Sequence, residues 1–136
     1  MNTLVIDLHG RRDDPNADPA LNPNVNYISR RQWWGPGRVL DAHPLQNPFT
    51  VKRLGSHEAA VSRYCRHLLD RPDLLALVPA LRGHTLGCWC PPLLCHGHVL
   101  AVLADAPQDQ ARQVLVRFVD DPGAAVAVYA ACSIGV

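Results

Sequence analysis

Residues 84–105, HTLGCWCPPLLCHGHVLAVLAD, contain the pattern that decides the fold. The segment starts with strand-like residues over 84–90, and Pro91 and Pro92 then end the strand. From His96 to Asp105, apolar residues recur at the spacing of a helix. A strand, a tight loop and a helix in this order form the repeating unit of an α/β domain, so we expect a sheet with helices packed on it.

The chain before this segment supplies further strands and helices. Residues 3–8 and 25–29 have the composition of short strands, and a polar, proline-rich loop over 11–24 separates them. Residues 30–40 fit a turn followed by a strand that pairs back as a hairpin. A helix is predicted over His57–Leu69 after an N-cap at Ser56. The order of elements predicts a small single α/β domain with a mostly parallel, Rossmann-like sheet flanked by helices.

After the first helix, and apart from residues 84–105, the sequence predicts one more helix with definite ends, and then two segments that each fit two kinds of element. The second helix should open at Pro72 and end at Pro79 and Gly83. Residues 108–118 fit a helix or a helix followed by a strand, and residues 124–132 fit a strand or a packed helix. We therefore predict an α/β domain over 1–105 and a C-terminal extension over 106–136 that packs on the same domain.

Composition excludes several classes of function. The net charge of +1 gives no indication of a surface that is basic over the whole protein. No apolar run approaches the roughly 20 residues that a membrane span requires, and the first residues lack the pattern of a secretory signal. The five cysteines are clustered rather than spread. We therefore expect a cytoplasmic protein without membrane contact, whose cysteines bind metal or react rather than form a disulfide framework.

The cysteines and histidines are concentrated between Cys88 and His98. In a strand, Cys88 and Cys90 would share one face and Trp89 would take the other. The following helix starts near Cys95, where unpaired backbone N–H groups and the helix dipole favour the thiolate form. In open α/β sheets, ligands bind at this edge, beyond the carboxyl ends of the strands.

Three interpretations of the cluster stay open at this point. Zinc could bind, although the spacing differs from the common paired C-x2-C pattern, and the ligands would be Cys88 or Cys90 together with Cys95 and either His96 or His98. Alternatively, Cys90 or Cys95 could be a nucleophile or redox thiol with His96 as its acid–base partner. In the third interpretation, the cysteines only pack in the core as small hydrophobic residues.

The sequence resembles the domain of unknown function numbered 4326, a family found in bacteria and phages. The resemblance covers roughly residues 3–105 and is most specific in its last third. The segments that carry it are Val5–Leu8, Tyr27–Arg30, Asn47–Phe49, Glu58–Ala60 with Tyr64, Leu81–His84, Leu86–Pro92 and Cys95–Leu100. Three positions depart from the family pattern. His98 stands where the family usually has Asp, Ser29 replaces a Gly, and the Trp-Gly pair that normally adjoins Asn47 lies apart at Trp34-Gly35.

The family has no established activity, but the resemblance implies which residues converge. The residues expected to meet at one pocket are Arg30, Asn47, Cys90, Cys95 and His96, with His98 as a further ligand-binding residue. Arginine supplies a fixed anion-binding fork, and asparagine supplies both donors and acceptors. Such a pocket suits a nucleotide, a nucleobase or a related phosphorylated ligand.

We therefore expect a small enzyme that acts on such a ligand, with Cys90, Cys95 and His96 as the catalytic residues. One alternative is a zinc-stabilised binding module that contacts nucleic acid or protein through Trp33 and Trp34. Another alternative is a thiol redox switch. The cofactor stays open, with zinc as a candidate.

Further expectations concern single residues outside the cluster. Asp7 lies within an apolar strand, and a buried carboxylate needs a partner, for which Arg11 and Arg30 are candidates. His57 and His67 are expected to be exposed on their helix.

Overall fold

The computed structural model describes residues 2–89 and 93–134, with side chains up to Ala131. At its centre is a parallel sheet of three strands, β1 (Leu4–Asp7), β2 (Val25–Tyr27) and β5 (Thr85–Cys88), in the order β1-β5-β2. Both outer strands pair with β5 in the same register, because Val5 and Asn26 lie opposite Leu86 from its two sides. The predicted α/β class and parallel sheet are confirmed.

A two-stranded hairpin forms a separate sheet. Its strands are β3 (Gln32–Gly35) and β4 (Arg38–Leu40), and they pair antiparallel with Trp33 opposite Val39. The turn between them contains Gly37 at a φ of 72°, a conformation that glycine adopts without steric cost. Residues 38–40 pair back as predicted, but their partner is Gln32–Gly35, which lies within the segment 30–37 that the sequence predicts as a turn.

Six helices are described. They are α1 (Val51–Leu54), α2 (His57–Asp70), α3 (Pro72–Leu75), α4 (His96–Asp105), α5 (Ala111–Asp120) and α6 (Gly123–Ile134). Helix α3 is shorter than predicted, and a 3₁₀ turn over Val78–Leu81 takes its place. In a helix, a proline ring clashes with the carbonyl four residues earlier, which for Pro79 is that of Leu75, so Pro79 accounts for the end of α3 at Leu75. No helix within the described residues is long and apolar enough to cross a bilayer.

The C-terminal extension consists of α5 and α6, so both of its ambiguous segments are helical. Helix α5 packs on α2, where the Ser62 hydroxyl donates to the Val119 carbonyl at 2.6 Å. Helix α6 packs on α4, and the Tyr129 hydroxyl accepts from the Val5 N–H of the edge strand at 2.9 Å. The extension thus lies against the α/β elements, while the division at residue 105 stays a prediction.

Side chains of β5 and of Trp89, which directly follows it, pack in two hydrophobic clusters on opposite sides of the sheet. Leu86 and Cys88 belong to the larger cluster beneath α2 and α4. Trp89 packs on the opposite side, in the smaller cluster that Leu8 and the hairpin residue Trp34 share. Helices therefore cover the side of the sheet that carries Cys88, and the hairpin covers the side that carries Trp89. Cys90 lies outside the described residues.

The prediction for Asp7 is wrong. Its carboxylate bonds to the His9 ring at 2.7 Å instead of pairing with Arg11 or Arg30. Asp7 ends an edge strand, and its side chain keeps 38% of its exposure. Water therefore solvates the carboxylate, which removes the need for a buried arginine partner.

Candidate functional site

Three side chains at the end of β5 and the start of α4 form a buried group, here called the Cys/His cluster: Cys88, Cys95 and His96. The two sulfur atoms lie 3.1 Å apart, and Sγ of Cys95 lies 3.6 Å from Nδ1 of His96. One possible ligand atom from each of the three residues lies within 4.8 Å of those from the other two. The structure thus brings together three residues that the sequence singled out.

The thiol of Cys95 caps the N-terminus of α4. Its sulfur accepts from the Gly97 N–H at 3.4 Å, and its own N–H donates to Nδ1 of His98 at 3.0 Å. A Cβ atom on Gly97 would lie 3.1 Å from side-chain atoms of both Val5 and Ile28, so glycine lets the helix start approach the sheet. The backbone N–H groups and the helix dipole at this position favour negative charge on the sulfur.

His98 contacts Cys95 but lies away from Arg30 and Asn47, the other two predicted ligand-binding residues. It is the third residue of α4, and its ring completes a capping box with Cys95 and packs edge-on against Tyr129 at 5.0 Å. A carboxylate at this position accepts the same N–H, which accounts for the aspartate that is usual in the family. His98 lines a separate depression with Asp7 and Tyr129, so the structure does not bring it to Arg30 and Asn47.

The ring of His96 is oriented by a backbone carbonyl. Nε2 lies 2.9 Å from the carbonyl oxygen of Ile28, which only accepts hydrogen bonds, so Nε2 carries the proton. In the neutral ring, Nδ1 is then the acceptor nitrogen, and it faces the sulfur of Cys95. The edge of the ring also rests on Tyr64, with ring centres 5.1 Å apart. The imidazole is therefore held in one tautomer and one orientation.

A cavity of about 80 Å³ opens beside the cluster. The predicted site residues in its wall are Arg30, Asn47, Cys88, Cys95 and His96. Pockets that enclose a whole small molecule hold roughly 300–1,000 Å³, so this one admits only the end of a ligand. The structure brings these residues together as the sequence predicted, while their role as a ligand site stays a prediction.

Asn47 and Arg30 are positioned by contacts on either side of the sheet. The Asn47 amide donates to the Ala60 carbonyl at 3.3 Å and accepts from the Phe49 N–H at 2.9 Å. These bonds use one of its two N–H groups and one of its two oxygen lone pairs. Asn47 thereby attaches its own loop to α2, and its amide can form further hydrogen bonds at the cavity.

The backbone of Arg30 is held from the hairpin side of the sheet. The indole N–H of Trp89 donates to the Tyr27 hydroxyl at 2.9 Å, and that hydroxyl donates to the Arg30 carbonyl. Burial raises the pKa of Tyr27, so the hydroxyl stays protonated and able to donate. Trp89, between the two cysteines in sequence, therefore supports the arginine that lines the cavity.

Two further histidines, His57 and His43, lie near the cluster, and neither was predicted as a site residue. His57 was expected to be exposed, but it is half-buried in the cavity wall, with Nδ1 3.0 Å from the Leu94 carbonyl. Its place directly after the N-cap Ser56 was the available signal, because helix starts face the ligand edge of such sheets. The pKa of His43 is lowered by burial and, to a lesser extent, by the charge of His96.

His67, also expected to be exposed, is half-buried against the Phe49 ring.

The electrostatics of the cavity favour an anion. Helices α2 and α4 both begin in its wall, at His57 and His96, and the positive ends of their dipoles point there. Arg30 adds a permanent positive charge at the exposed rim. The arrangement can bind an anionic group, stabilise a thiolate and accept a proton.

The donor atoms of the Cys/His cluster also suit zinc in type. Two thiolates and one imidazole, with a further position open to a cavity, form a known zinc ligand set. The carbonyl of Ile28 would orient His96 as metal-binding histidines usually require. Two sulfurs on a tetrahedral zinc, at bonds of about 2.3 Å, lie about 3.8 Å apart. The observed 3.1 Å is shorter, so the sulfurs would have to separate to admit the ion.

Comparisons with known proteins agree with the resemblance in sequence. The family described as Domain of unknown function (DUF4326) matches residues 12–106, a segment that includes β2, α2, β5 and α4. Uncharacterized protein R718 of Acanthamoeba polyphaga mimivirus is 34% identical over 85 residues, which are 57% of this chain and 64% of the viral protein. The chain thus spans slightly less than two thirds of that relative's length. No solved structure matches the chain. Since the family match covers more than half of the sequence and contains the Cys/His cluster, the chain belongs to the family Domain of unknown function (DUF4326).

Proposed function

We propose that the protein is a small enzyme for a nucleotide, a nucleobase or a related phosphorylated ligand, with Cys95 and His96 as a reactive thiol–imidazole pair. The observation that carries the proposal is the position of His96 between two partners. Its Nδ1 lies 3.6 Å from the sulfur of Cys95, and its Nε2 is tied to the Ile28 carbonyl at 2.9 Å. Enzymes that use covalent catalysis align a nucleophile with a base, and a third group orients the base.

The ligand class follows from the size and charge of the cavity. A volume of about 80 Å³ takes a phosphate-sized group, while the rest of the ligand would lie outside. Arg30 at the rim offers a planar fork that matches phosphate oxygens, and the two helix starts add positive potential. An anionic group at the reacting end of the ligand accounts for these features together.

The proposed chemistry starts with a proton transfer. Nδ1 of His96 accepts the proton of the Cys95 thiol, and the resulting thiolate attacks the electrophilic atom of the ligand at the cavity. The imidazolium that forms keeps its Nε2–H bond to Ile28, so the ring does not have to reorient. The N-terminus of α4 stabilises the thiolate before it attacks.

The test is a search for turnover and for a covalent intermediate. The protein is incubated with a panel of nucleotides and nucleosides, and product and protein mass are followed by mass spectrometry. We expect turnover of at least one compound by the wild type and by Cys65→Ser, and loss of turnover in Cys95→Ser. Cys65 is a matched control because it is buried in the same core outside the cavity wall. Turnover that survives in Cys95→Ser contradicts the proposed nucleophile.

A second candidate is a zinc-stabilised binding module, and the grouping of three donor atoms within 4.8 Å favours it. Trp33 would supply its contact surface for nucleic acid or protein, since the ring is 53% exposed with the Arg12 guanidinium 4.8 Å from its centre. Metal analysis of the purified protein separates the two candidates. One zinc per chain, lost together with folding in Cys88→Ser, supports the module, whereas folded metal-free protein supports the enzyme.

A thiol redox switch is a third candidate, favoured by the 3.1 Å separation of the sulfurs of Cys88 and Cys95. Mild treatment with hydrogen peroxide would then oxidise the two thiols to one disulfide, with two water molecules as the reduced product. Peptide mass spectrometry would show a Cys88–Cys95 link that dithiothreitol reverses. Unchanged thiols after this treatment contradict the switch.

A further inference from the structure

We propose that His57 is a second proton-transfer residue of this site, which donates a proton to the departing oxygen of the ligand. The inference rests on the proposed function, because it adds an acid to the thiol–imidazole pair. The sequence analysis did not assign His57 to the site, and its role follows from its place in the fold.

The tautomer of His57 is set by the loop that carries Cys95. Nδ1 lies 3.0 Å from the carbonyl oxygen of Leu94, which accepts hydrogen bonds and cannot donate them. Nδ1 therefore carries a proton, and Nε2 is the nitrogen that gains or loses one. Because the half-buried ring forms part of the cavity wall, Nε2 is the group that can exchange a proton with a ligand there.

His57 and His96 are fixed in complementary ways. Each ring donates one N–H to a backbone carbonyl, from Nδ1 to Leu94 in His57 and from Nε2 to Ile28 in His96. The nitrogen that can take part in proton transfer is thus Nε2 in His57 and Nδ1 in His96. Since Nδ1 of His96 faces the sulfur of Cys95, it serves the nucleophile, which leaves the proton of the departing group to His57.

The backbone around His57 is also held in place. Ser56 caps α2 through a bond of 3.0 Å from the Ala59 N–H to its hydroxyl, so His57 starts the helix in a fixed orientation. Residues with fixed rotamers and fixed hydrogen bonds are suited to proton transfer because little reorganisation is needed.

The two histidines complete a balanced displacement. The thiolate of Cys95 forms a bond to the electrophilic atom of the ligand, and the bond to the departing oxygen breaks with its electron pair on that oxygen. Protonated His57 gives its Nε2 proton to the oxygen and becomes neutral. The proton that left Cys95 stays on His96, so no oxidant or reductant is required.

Protonated His57 would also attract an anion before any reaction. Among the residues that the structure describes, the titratable groups that share the cavity wall with it are Arg30 after β2, Cys88 on β5, and Cys95 and His96 at the start of α4. Helix α1 and its N-cap contribute the uncharged Val51 and Thr50. A positive charge on His57 therefore adds to that of Arg30 and raises the local concentration of anionic reagents.

The test compares two alkylating agents of similar size at Cys95, neutral iodoacetamide and anionic iodoacetate, in the full chain. Rates are measured by peptide mass spectrometry between about pH 8 and pH 6. In the wild type, the ratio of the iodoacetate rate to the iodoacetamide rate should rise several-fold from about pH 8 to about pH 6, because imidazoles gain a proton in this range and a positive charge in the cavity wall attracts the anionic reagent. His57→Gln should lose this rise and keep its iodoacetamide rate. His67→Gln, on the same helix but outside the cavity wall, should behave as the wild type.

A permanent charge provides a rescue. His57→Lys should show a high ratio at every pH, which a purely structural role of His57 would not produce. If the ratio rises with falling pH in His57→Gln as it does in the wild type, the inference is overturned and the thiol–imidazole pair stands. If iodoacetamide fails to modify Cys95 in the folded wild type, both the inference and the proposed nucleophile are overturned.

Discussion

Cys95 and His96 are neighbours in sequence whose side chains meet at 3.6 Å, and different parts of the fold hold them there. Cys95 is fixed by the capping of α4, whereas His96 is fixed by the carbonyl of Ile28, the residue that follows β2. The Ile28 N–H in turn bonds to the Gly87 carbonyl of β5 at 3.2 Å. The thiol–imidazole pair is therefore set by the pairing of the central strands, which is a rigid part of the domain.

The ion pair of Asp18 and Arg38 should stabilise the fold in a pH-dependent way. Asp18 is almost fully buried and accepts two bonds from the Arg38 guanidinium, at 2.6 and 2.8 Å. This bonding keeps the pKa of the Asp18 carboxyl below its ordinary value, despite the opposing effect of burial. The stabilisation is thus complete at neutral pH and is lost as the pH falls through the lowered pKa.

Asp18→Asn should lower the free energy of unfolding at pH 7 by about 1–2 kcal/mol, toward the lower end for a charged hydrogen bond because Arg38 is partly exposed. Urea unfolding at several pH values measures the change, and the difference from the wild type should shrink in acid. Asp73→Asn is the matched control, since Asp73 forms a similar bidentate pair with Arg71 on the surface. A loss in Asp73→Asn as large as that in Asp18→Asn would contradict this explanation.

The capping box explains how histidine can replace the aspartate that is usual in the family at position 98. Nδ1 of His98 accepts the Cys95 N–H at 3.0 Å, and an aspartate carboxylate can accept the same bond. His98→Ala should lower the free energy of unfolding by about 1 kcal/mol, while His98→Asp should retain most of the stability. Thermal unfolding of both variants at neutral pH measures this, and equal losses would show that the cap is not the reason.

Trp89 should influence the cavity from the far side of the sheet. Its N–H bonds to the Tyr27 hydroxyl, which bonds to the Arg30 carbonyl. Trp89→Phe keeps an aromatic ring in the smaller cluster and removes the N–H together with part of the indole, and Trp33→Phe makes the same change on the hairpin. We expect it to weaken the binding of inorganic phosphate by several-fold, because Arg30 loses support, while Trp33→Phe on the exposed hairpin face leaves binding unchanged. Titration calorimetry would check both variants, and equal affinities in Trp89→Phe and the wild type would contradict the coupling.

The fold was largely predictable because its strands and main helices carry clear local signals. The helix from His96 to Asp105 begins and ends where the pattern predicts, and Ser56 caps α2 as expected. Helix α6 could not be distinguished from a strand, because GAAVAVYAACSI has no charged residue to show which face is exposed. Asp7 was misjudged because a strand's place at the edge of a sheet is not visible in the strand itself.

The site was predictable only in part, for a physical reason. The resemblance to the family implied that Arg30, Cys95 and His96 converge, and the strand ends that meet at one edge of a parallel sheet explain why they line one cavity. His57 was missed because its partner Leu94 is 37 residues away in sequence and the contact depends on how α2 packs. The capping role of His98 was missed because a histidine at that position rarely signals a cap. The predicted role of Cys90 stays a prediction, because Cys90 lies outside the described residues.

The central claim is that His96 activates the thiol of Cys95, and the rate of alkylation of Cys95 by iodoacetamide near pH 7 tests it most directly. Cys65 serves as an internal reference, because burial raises its pKa to about 12 and leaves almost no thiolate at neutral pH. Peptide mass spectrometry should show Cys95 reacting at least about 100-fold faster than Cys65 in folded protein. The rate at Cys95 should fall about tenfold or more in His96→Gln and stay unchanged in His67→Gln. Equal rates at Cys95 in the wild type and His96→Gln, or a Cys95 as unreactive as Cys65, would contradict the account.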